Sequence, residues 1–479
     1  MHGTSSSMRH TPAKDVRIVV ESLLVATLVA SLAAATPASD LEQVLHHPGL
    51  ADASVAALVI DAQSGREVFA HHADTALLVA SNVKILTALA ALDTFGPTHR
   101  FTSRVLADRH PDASGTVGRL VLVGGGDPSL TSEQMWRLAA DLARSGLRRI
   151  DGDIVLDAGA FDDQKWNPAW GQVSSRAYHA PIAGLSVNYG AFTVEVGPGP
   201  APGSPLRAAV DPPIRYFSLV NRATTTAGGR TNITVKRQAT PAGDRITVGG
   251  TLGVQTSPRQ VHRSVSDPVA YAGHVFAQQL VANGVTVAGI RVGRALPGDV
   301  TLAEFEGKSL AETVRLLMKF SNNNIAESLV KAMGRAAAGL GSWKNGVPAM
   351  RQRLLALGVD GACFNLVDGS GLARDDRVAP RCLTTALRIG SRSFRYGPEF
   401  VASLPIAGRD GTLRRRARAS TDRLRAKTGL LTGATALSGI VETRSRGQLV
   451  FSIVANGYSH GDGAAMDALD AFAAALQGL

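Results

Sequence analysis

Apolar residues fill positions 78–92 almost without interruption, and after Lys84 nearly every position is Ala, Leu or Ile. A helix apolar nearly all round belongs in a core. Two polar groups, Ser81 and Lys84, stand at its start, and a spacing of three stacks them on one face, one turn apart. Burial disfavours the charged form of a lysine, and a neutral amine beside a hydroxyl can take its proton. The S-x-x-K pattern thus predicts a nucleophilic serine served by a lysine base. The same pattern recurs at Ser328 and Lys331. Its neighbours read as a half-polar helix, which predicts a solvated Lys331.

The rest of the chain falls into three textures. Positions 54–60 and 66–70 are strand-like runs around a turn at Asp61 to Gly65, which predicts a hairpin. Phe95-Gly96-Pro97 stops the apolar helix. From about 101 to 297, Gly, Pro and short β-like runs dominate, with strands expected at 120–123, 192–196, 231–237 and 245–249 and a helix at 132–147. The acidic stretch 151–157 reads as a turn that lacks calcium-loop spacing. Trp166 and Trp170 are read as core or hinge packing. Near Lys308 helical texture returns. Ser309 and Glu312 have the form of a capping box, and Leu310, Val314, Leu317 and Met318 share a face. The polar run 321–324 separates this helix from one expected over 325–338. Runs at 425–429, 436–443 and 448–454 read as strands, and an amphipathic helix over 464–476 follows. Strands near both ends predict one sheet built from both termini.

Composition narrows the class. With 479 residues, 45% of them hydrophobic, the chain is long enough for two or three domains with a large core. The formal net charge is +11, but the arginines are scattered and aromatics are only 5%, so a mild, diffuse basic surface is read in preference to nucleic-acid binding, with peripheral contact with an anionic membrane or wall polymer as the partner such a surface allows. Arg9, His10, Lys14 and Arg17 precede an apolar run over 18–35 and small residues up to Ala38. This predicts a secretory signal over 1–38 and export to the periplasm or cell-wall space, with an uncleaved anchor as the second reading. Cys363 and Cys382 are free to pair in such a compartment; their spacing leaves it open. His71-His72 has no third ligand at a metal-site spacing, and neither G-x-G-x-x-G nor a G-K-[ST] ending occurs, so no metal or cofactor is expected.

Three motifs now stand in order: Ser81-x-x-Lys84, Ser321-x-Asn323 and Lys427-Thr428-Gly429. A second S-x-N, Ser186-Val187-Asn188, lies in the β-rich region, not between helices. The ordered triple resembles the penicillin-recognising serine acyl-transferases. Ser81 and Ser321 are 240 positions apart (321 − 81), far more than a minimal domain of that kind needs. With Gly124-Gly125-Gly126-Asp127-Pro128, Asp368-Gly369-Ser370-Gly371-Leu372 and Gly408-Arg409-Asp410-Gly411-Thr412, the chain is similar to the DacB-type D-alanyl-D-alanine carboxypeptidases of peptidase family S13. The resemblance implies an α+β fold with a β-lactamase/transpeptidase-like catalytic domain, an antiparallel sheet with helices on both faces. That domain (39–98 and 299–479) would be split by a large, mainly β insertion (99–298).

The resemblance also implies roles. Ser81 attacks and Lys84 takes its proton. Ser321 and Lys427 relay a proton to the leaving amine, and Asn323 orients Lys84. Lys427 and Thr428 hold a terminal carboxylate, and Gly429 keeps the strand edge clear. The N–H groups of Ser81 and Leu430 would form the oxyanion hole. Leu430 departs from the small hydroxyl residue common at that position. Peptidoglycan stem peptides are the implied substrate and β-lactams the implied inhibitors. A β-lactamase and a non-catalytic wall-binding protein are the alternatives, and the balance between carboxypeptidase and endopeptidase action stays open.

Overall fold

A computed structural model describes residues 37–229 and 231–479. The basic start and apolar run of the expected signal lie outside the described residues. No helix among the described residues is long and apolar enough to cross a membrane.

Five antiparallel strands form the sheet that carries the last motif and backs the helix of the first. Their order is Leu424–Leu431, Ala434–Glu442, Gln448–Asn456, Ser54–Asp61 and Glu67–His71. Strands from both ends of the chain therefore meet, with Ser54 opposite Asn456 and Asp61 opposite Leu449. Side chains alternate between the two faces of a strand. Ala57, Val59, Leu437, Phe451 and Ile453 pack on one face with Leu469 and Phe472 of the closing helix Gly461–Gln477. Leu58, Ile60, Ala436, Ile440, Val450 and Val454 pack on the other with the helices Val83–Phe95 and Pro380–Arg392. The sheet is covered on both faces, so its central strands read as unbroken apolar runs.

The helix Val83–Phe95 is apolar all round because neighbours surround it: Leu310–Phe320, Asn323–Ala338, Trp343–Ala356 and Pro380–Arg392 all pack against it. It stops at Gly96, whose φ of 83° an L side chain rarely adopts and whose N–H closes on Leu92 O. Ser309 and Glu312 form the expected capping box on the helix Leu310–Phe320, and Leu310, Val314, Leu317 and Met318 are fully buried.

Residues between these elements build other sheets. One is mixed, in the order Thr286–Val292, Arg149–Asp157, Leu120–Val123, Arg100–Ala107 and Val300–Ser309. Two smaller sheets are built around Ala191–Gly197 and Gly243–Gly253. They share a core of Leu122, Ile154, Val194, Tyr271 and Phe276. Here one expectation is corrected: 151–157 is strand, not turn. Ile154, Val155 and Leu156 are buried in the sheet, while Asp151 and Asp153 reach Arg149 and Arg291 at the surface. The acids belong to exposed positions of a strand, where arginine partners take up their charge. The segment 158–190 then returns to the catalytic side, where Phe161 and Ile182 join the core around the Val83–Phe95 helix.

Candidate active site

Ser81 sits in a single 3₁₀ turn, Ala80–Asn82, that leads into the long helix. Ala80 has φ 48°, a left-handed conformation that is costly for a residue with a Cβ. The surroundings hold the turn in place. Asn456 accepts from Leu78 N and donates to Leu78 O, both at 2.9 Å. Asn82 Nδ2 donates to Ser438 Oγ at 3.0 Å. Two glycines press on the turn from either side: a Cβ on Gly371 would lie 1.9 Å from Ala80 O, and one on Gly429 would lie 2.3 Å from Val79 O.

Lys84 is fully buried. Its Nζ lies 2.9 Å from Ser81 Oγ, 2.7 Å from Asn323 Oδ1 and 2.6 Å from Ser370 O. A neutral amine has two N–H bonds and one lone pair. Two of its neighbours, the carbonyl oxygens of Asn323 and Ser370, only accept. They consume both N–H bonds and leave the lone pair for the Ser81 hydroxyl. Burial pushes the Lys84 amine down to about 8, against the pull of nearby carboxylates, Asp368 above all. Asn323 opens the helix Asn323–Ala338, two residues earlier than expected, and its Nδ2 donates to Tyr178 O at 2.9 Å, which fixes the orientation of its amide.

The second network lies beside the first. Ser321 caps the helix Leu310–Phe320 with φ 55°, and its Oγ lies 2.9 Å from Lys427 Nζ. Lys427 is fully buried in the edge strand Leu424–Leu431 and donates to Thr428 O at 2.6 Å. Burial, reinforced by the charge of Lys84, pushes its amine well below the usual lysine range. Thr428 Oγ1 bonds Thr412 Oγ1 at 2.8 Å. Gly429 backs onto the nucleophile turn, and Leu430 follows with an exposed side chain. A groove of about 560 Å³ opens here, lined by Tyr178, Tyr189, Phe320, Ser321 and Asn323. All eight residues expected at the site lie on these neighbouring elements.

Sequence reasoning missed what holds them. Asp368 is fully buried and accepts from the N–H groups of Ser370, Gly371, Leu372 and Ala373 and from Trp170 Nε1, at 2.6–3.1 Å. The chain wraps around this carboxylate, which aims Ser370 O at Lys84. Glu327 accepts from Trp343 Nε1 at 2.7 Å and Gly369 N at 3.1 Å; burial and the Asp368 charge push its carboxyl up to about 7. Asp376 accepts from Val367 N at 2.8 Å; burial and the Asp368 charge push it up to about 10, so it is a neutral acid at pH 7. A signal for Glu327 existed: Asn323, Glu327 and Lys331 recur every four residues on one helix face.

That stripe also corrects the reading of Lys331. It is fully buried, not solvated, with Nζ 2.6 Å from Asp162 Oδ1 and Gln164 O and 4.0 Å from the Trp343 ring centre. The polar face of the helix points inward because the segment 158–190 covers it and supplies its partners. We expect Lys331→Met to cost about 1–3 kcal/mol, since Asp162 loses its cation but keeps access to water. Denaturant unfolding checks this, with β-lactam acylation unchanged; a tenfold loss of acylation would count against a purely structural lysine. The second S-x-N is likewise structural: Asn188 is tied to Ser132 and Tyr271. Cys363 and Cys382 form a disulfide.

Gly429→Ala tests the close approach at the turn. Its Cβ would meet the backbone oxygen of Val79 at 2.3 Å and the Cβ atoms of Ala80 and Ala436 at 3.3 Å, none of them the end of a flexible side chain, so strand and nucleophile must separate. A displacement on the order of 1 Å costs about 100-fold in a positioned reaction. We expect that loss in the rate of β-lactam adduct formation, with most of the folded stability kept.

Comparison with known proteins places nearly the whole described chain among relatives of one family. The model of the D-Ala-D-Ala carboxypeptidase 3 (S13) family matches residues 38–476. A D-alanyl-D-alanine carboxypeptidase from an Actinomadura species is 38% identical over 439 residues, covering 88% of this chain and 81% of the relative. The crystal structure of penicillin binding protein 4 (dacB) from Haemophilus influenzae superimposes with a TM-score of 0.77 at 25% identity, over 91% of this chain and 97% of that one. The same protein complexed with a β-lactam gives a TM-score of 0.72 at 25% identity and the same coverage. The family inferred from three short motifs is thus supported along nearly the whole described chain: this protein belongs to the D-Ala-D-Ala carboxypeptidase 3 (S13) family.

Proposed function

We propose that this chain is a serine D-alanyl-D-alanine carboxypeptidase that acts on peptidoglycan stem peptides through an acyl-enzyme at Ser81. One observation carries the reading: Lys84 Nζ lies 2.9 Å from Ser81 Oγ while two obligate acceptors take up its N–H bonds. Ser81 attacks the carbonyl of the terminal D-Ala-D-Ala bond, and Lys84 accepts its proton. The N–H groups of Ser81 and Leu430 receive the oxyanion; one such donor is worth roughly 3–4 kcal/mol in a comparable site. The substrate's terminal carboxylate lies against Lys427 and Thr428. Its charge favours a protonated Lys427, and the cation so formed favours a neutral Lys84. Ser321, 2.9 Å from Lys427, passes a proton to the leaving D-alanine. Water then releases the acyl group.

A β-lactam enters the same path and stays on Ser81. The groove beside Ser321 and Asn323 favours a longer, cross-linked peptide as a further substrate, which would add endopeptidase action. We also propose export to the periplasm or cell-wall space, a catalytic domain of 39–98 and 299–479 with 99–298 inserted, and peripheral contact with an anionic membrane or wall polymer. Release of D-alanine from a tripeptide ending in D-Ala-D-Ala, with intact mass following a penicillin adduct, tests the activity. Turnover of peptide with a long-lived adduct supports it; neither product nor adduct overturns it.

The pH profile follows from Lys84. Only the neutral amine is a base, and its fraction rises with pH, reaching one half at about 8. We expect acylation by penicillin to rise nearly tenfold per unit from about pH 6 and to level off above about 9. A flat profile over that range would remove Lys84 as the base.

A further inference from the structure

A second cleft lies along the same edge strand. It measures about 540 Å³ and lies where the sheet meets the end of the helix Pro380–Arg392. Four arginines line it: Arg392 ends that helix, Arg423 lies in the turn just before the edge strand, Arg425 in that strand, and Arg446 in the turn before Gln448–Asn456. Among the described residues, none of the four forms an ion pair. Elsewhere Arg119, Arg237, Arg381, Arg409 and Arg416 each reach a carboxylate. The carboxylates that share the cleft offset only part of this charge. Asp61 accepts from Ser64 N and Ser64 Oγ, and Asp422 pairs with Arg409. Asp61 and Glu442 remain to face four guanidinium groups, so the cleft keeps an excess of positive charge.

We infer that this arginine cleft binds the phosphodiester of a polyol-phosphate chain. The inference rests on the proposed contact with an anionic surface and gives that contact a location. Guanidinium forks match the paired oxygens of phosphate, and several convergent forks suit a group with more than one anionic oxygen. The cleft is larger than one phosphate and has no Phe, Tyr, Trp or His in its lining, so it offers no platform for stacking bases. A phosphodiester flanked by small polyols fits. Such a group occurs on a phosphatidylglycerol headgroup and on a free glycerol-phosphate chain. Arg425 lies two residues before Lys427 and on the same face of the strand. A bound phosphate would therefore anchor the enzyme beside its catalytic strand.

The test uses the mature protein and two probes, the soluble phosphodiester glycerophosphoglycerol titrated in solution and vesicles of phosphatidylglycerol with phosphatidylcholine in a sedimentation assay. Arg423→Gln with Arg446→Gln empties half the cleft. Arg245→Gln with Arg259→Gln removes the same charge from exposed positions elsewhere. We expect the first pair to weaken binding by about tenfold or more and the second by much less, because basic residues act locally on an anionic surface. Binding of the soluble probe assigns a free phosphate chain; binding of vesicles alone assigns a headgroup. Equal losses in both double variants would overturn the cleft and leave only diffuse charge. No binding of either probe by the unaltered protein would overturn both the cleft and the surface contact on which it rests. Melting temperature and penicillin acylation, expected to be unchanged, control for folding.

Discussion

Ser81→Ala is expected to lower peptide turnover by about 10⁴-fold or more, and to leave no penicillin adduct by intact mass. Lys84→Met should cost nearly as much, because the hydroxyl then has no lone pair to receive its proton. The double variant should lose little beyond either single one, since residues that act as a unit are far from additive. Met fills most of the space of the Lys side chain and avoids burying an amine. Stability should therefore hold or rise in Lys84→Met while acylation collapses, which separates a chemical role from a packing role. Acylation in Lys84→Met above about 1% of the unaltered rate would sink the assignment of Lys84 as base.

The second large effect belongs to Asp368, which the motifs do not include. Asp368→Ala leaves the N–H groups of Ser370, Gly371, Leu372, Ala373 and Trp170 without their acceptor in a fully buried position. Removing one partner from a buried charged network costs about 3–5 kcal/mol, and denaturant unfolding should show a loss of that order. The loop would also release Ser370 O from Lys84. Asp368→Asn is the finer probe. It removes the negative charge that most favours protonated Lys84, so the midpoint of the acylation profile should move to lower pH. Asp376→Asn should leave that midpoint nearly in place, because burial and the Asp368 charge already keep Asp376 neutral at pH 7. Equal shifts in the two variants would contradict this division of charge.

Local chemistry was legible in the sequence. The all-apolar run after Lys84 determined a buried helix, since only complete enclosure makes such a surface favourable. The i,i+3 spacing determined that Ser81 and Lys84 would meet. Ser309 and Glu312 fixed a helix start, and Gly96 a helix end, through backbone groups only a few residues away. The order of three motifs pointed to the penicillin-recognising acyl-transferases, and the long separation of the first two, with the glycine-rich secondary motifs, narrowed them to the family.

Only the tertiary structure decided what surrounds those residues. Lys331 repeats the S-x-x-K pattern and reads as surface, yet Asp162, Gln164 and Trp343 enclose it, and two of these come from a segment more than 160 positions away. The stretch 151–157 reads as an acidic turn, yet it is a strand, because its backbone pairs with Leu120–Val123 and Thr286–Val292 on either side and buries Ile154, Val155 and Leu156. Asp368 reads as part of a glycine turn, and its hold on Lys84 runs through a carbonyl 286 positions from that lysine. A local pattern states how a segment prefers to fold and which of its own groups meet. Desolvation and charge at a site are sums over everything brought near it, and those partners come from distant parts of the chain.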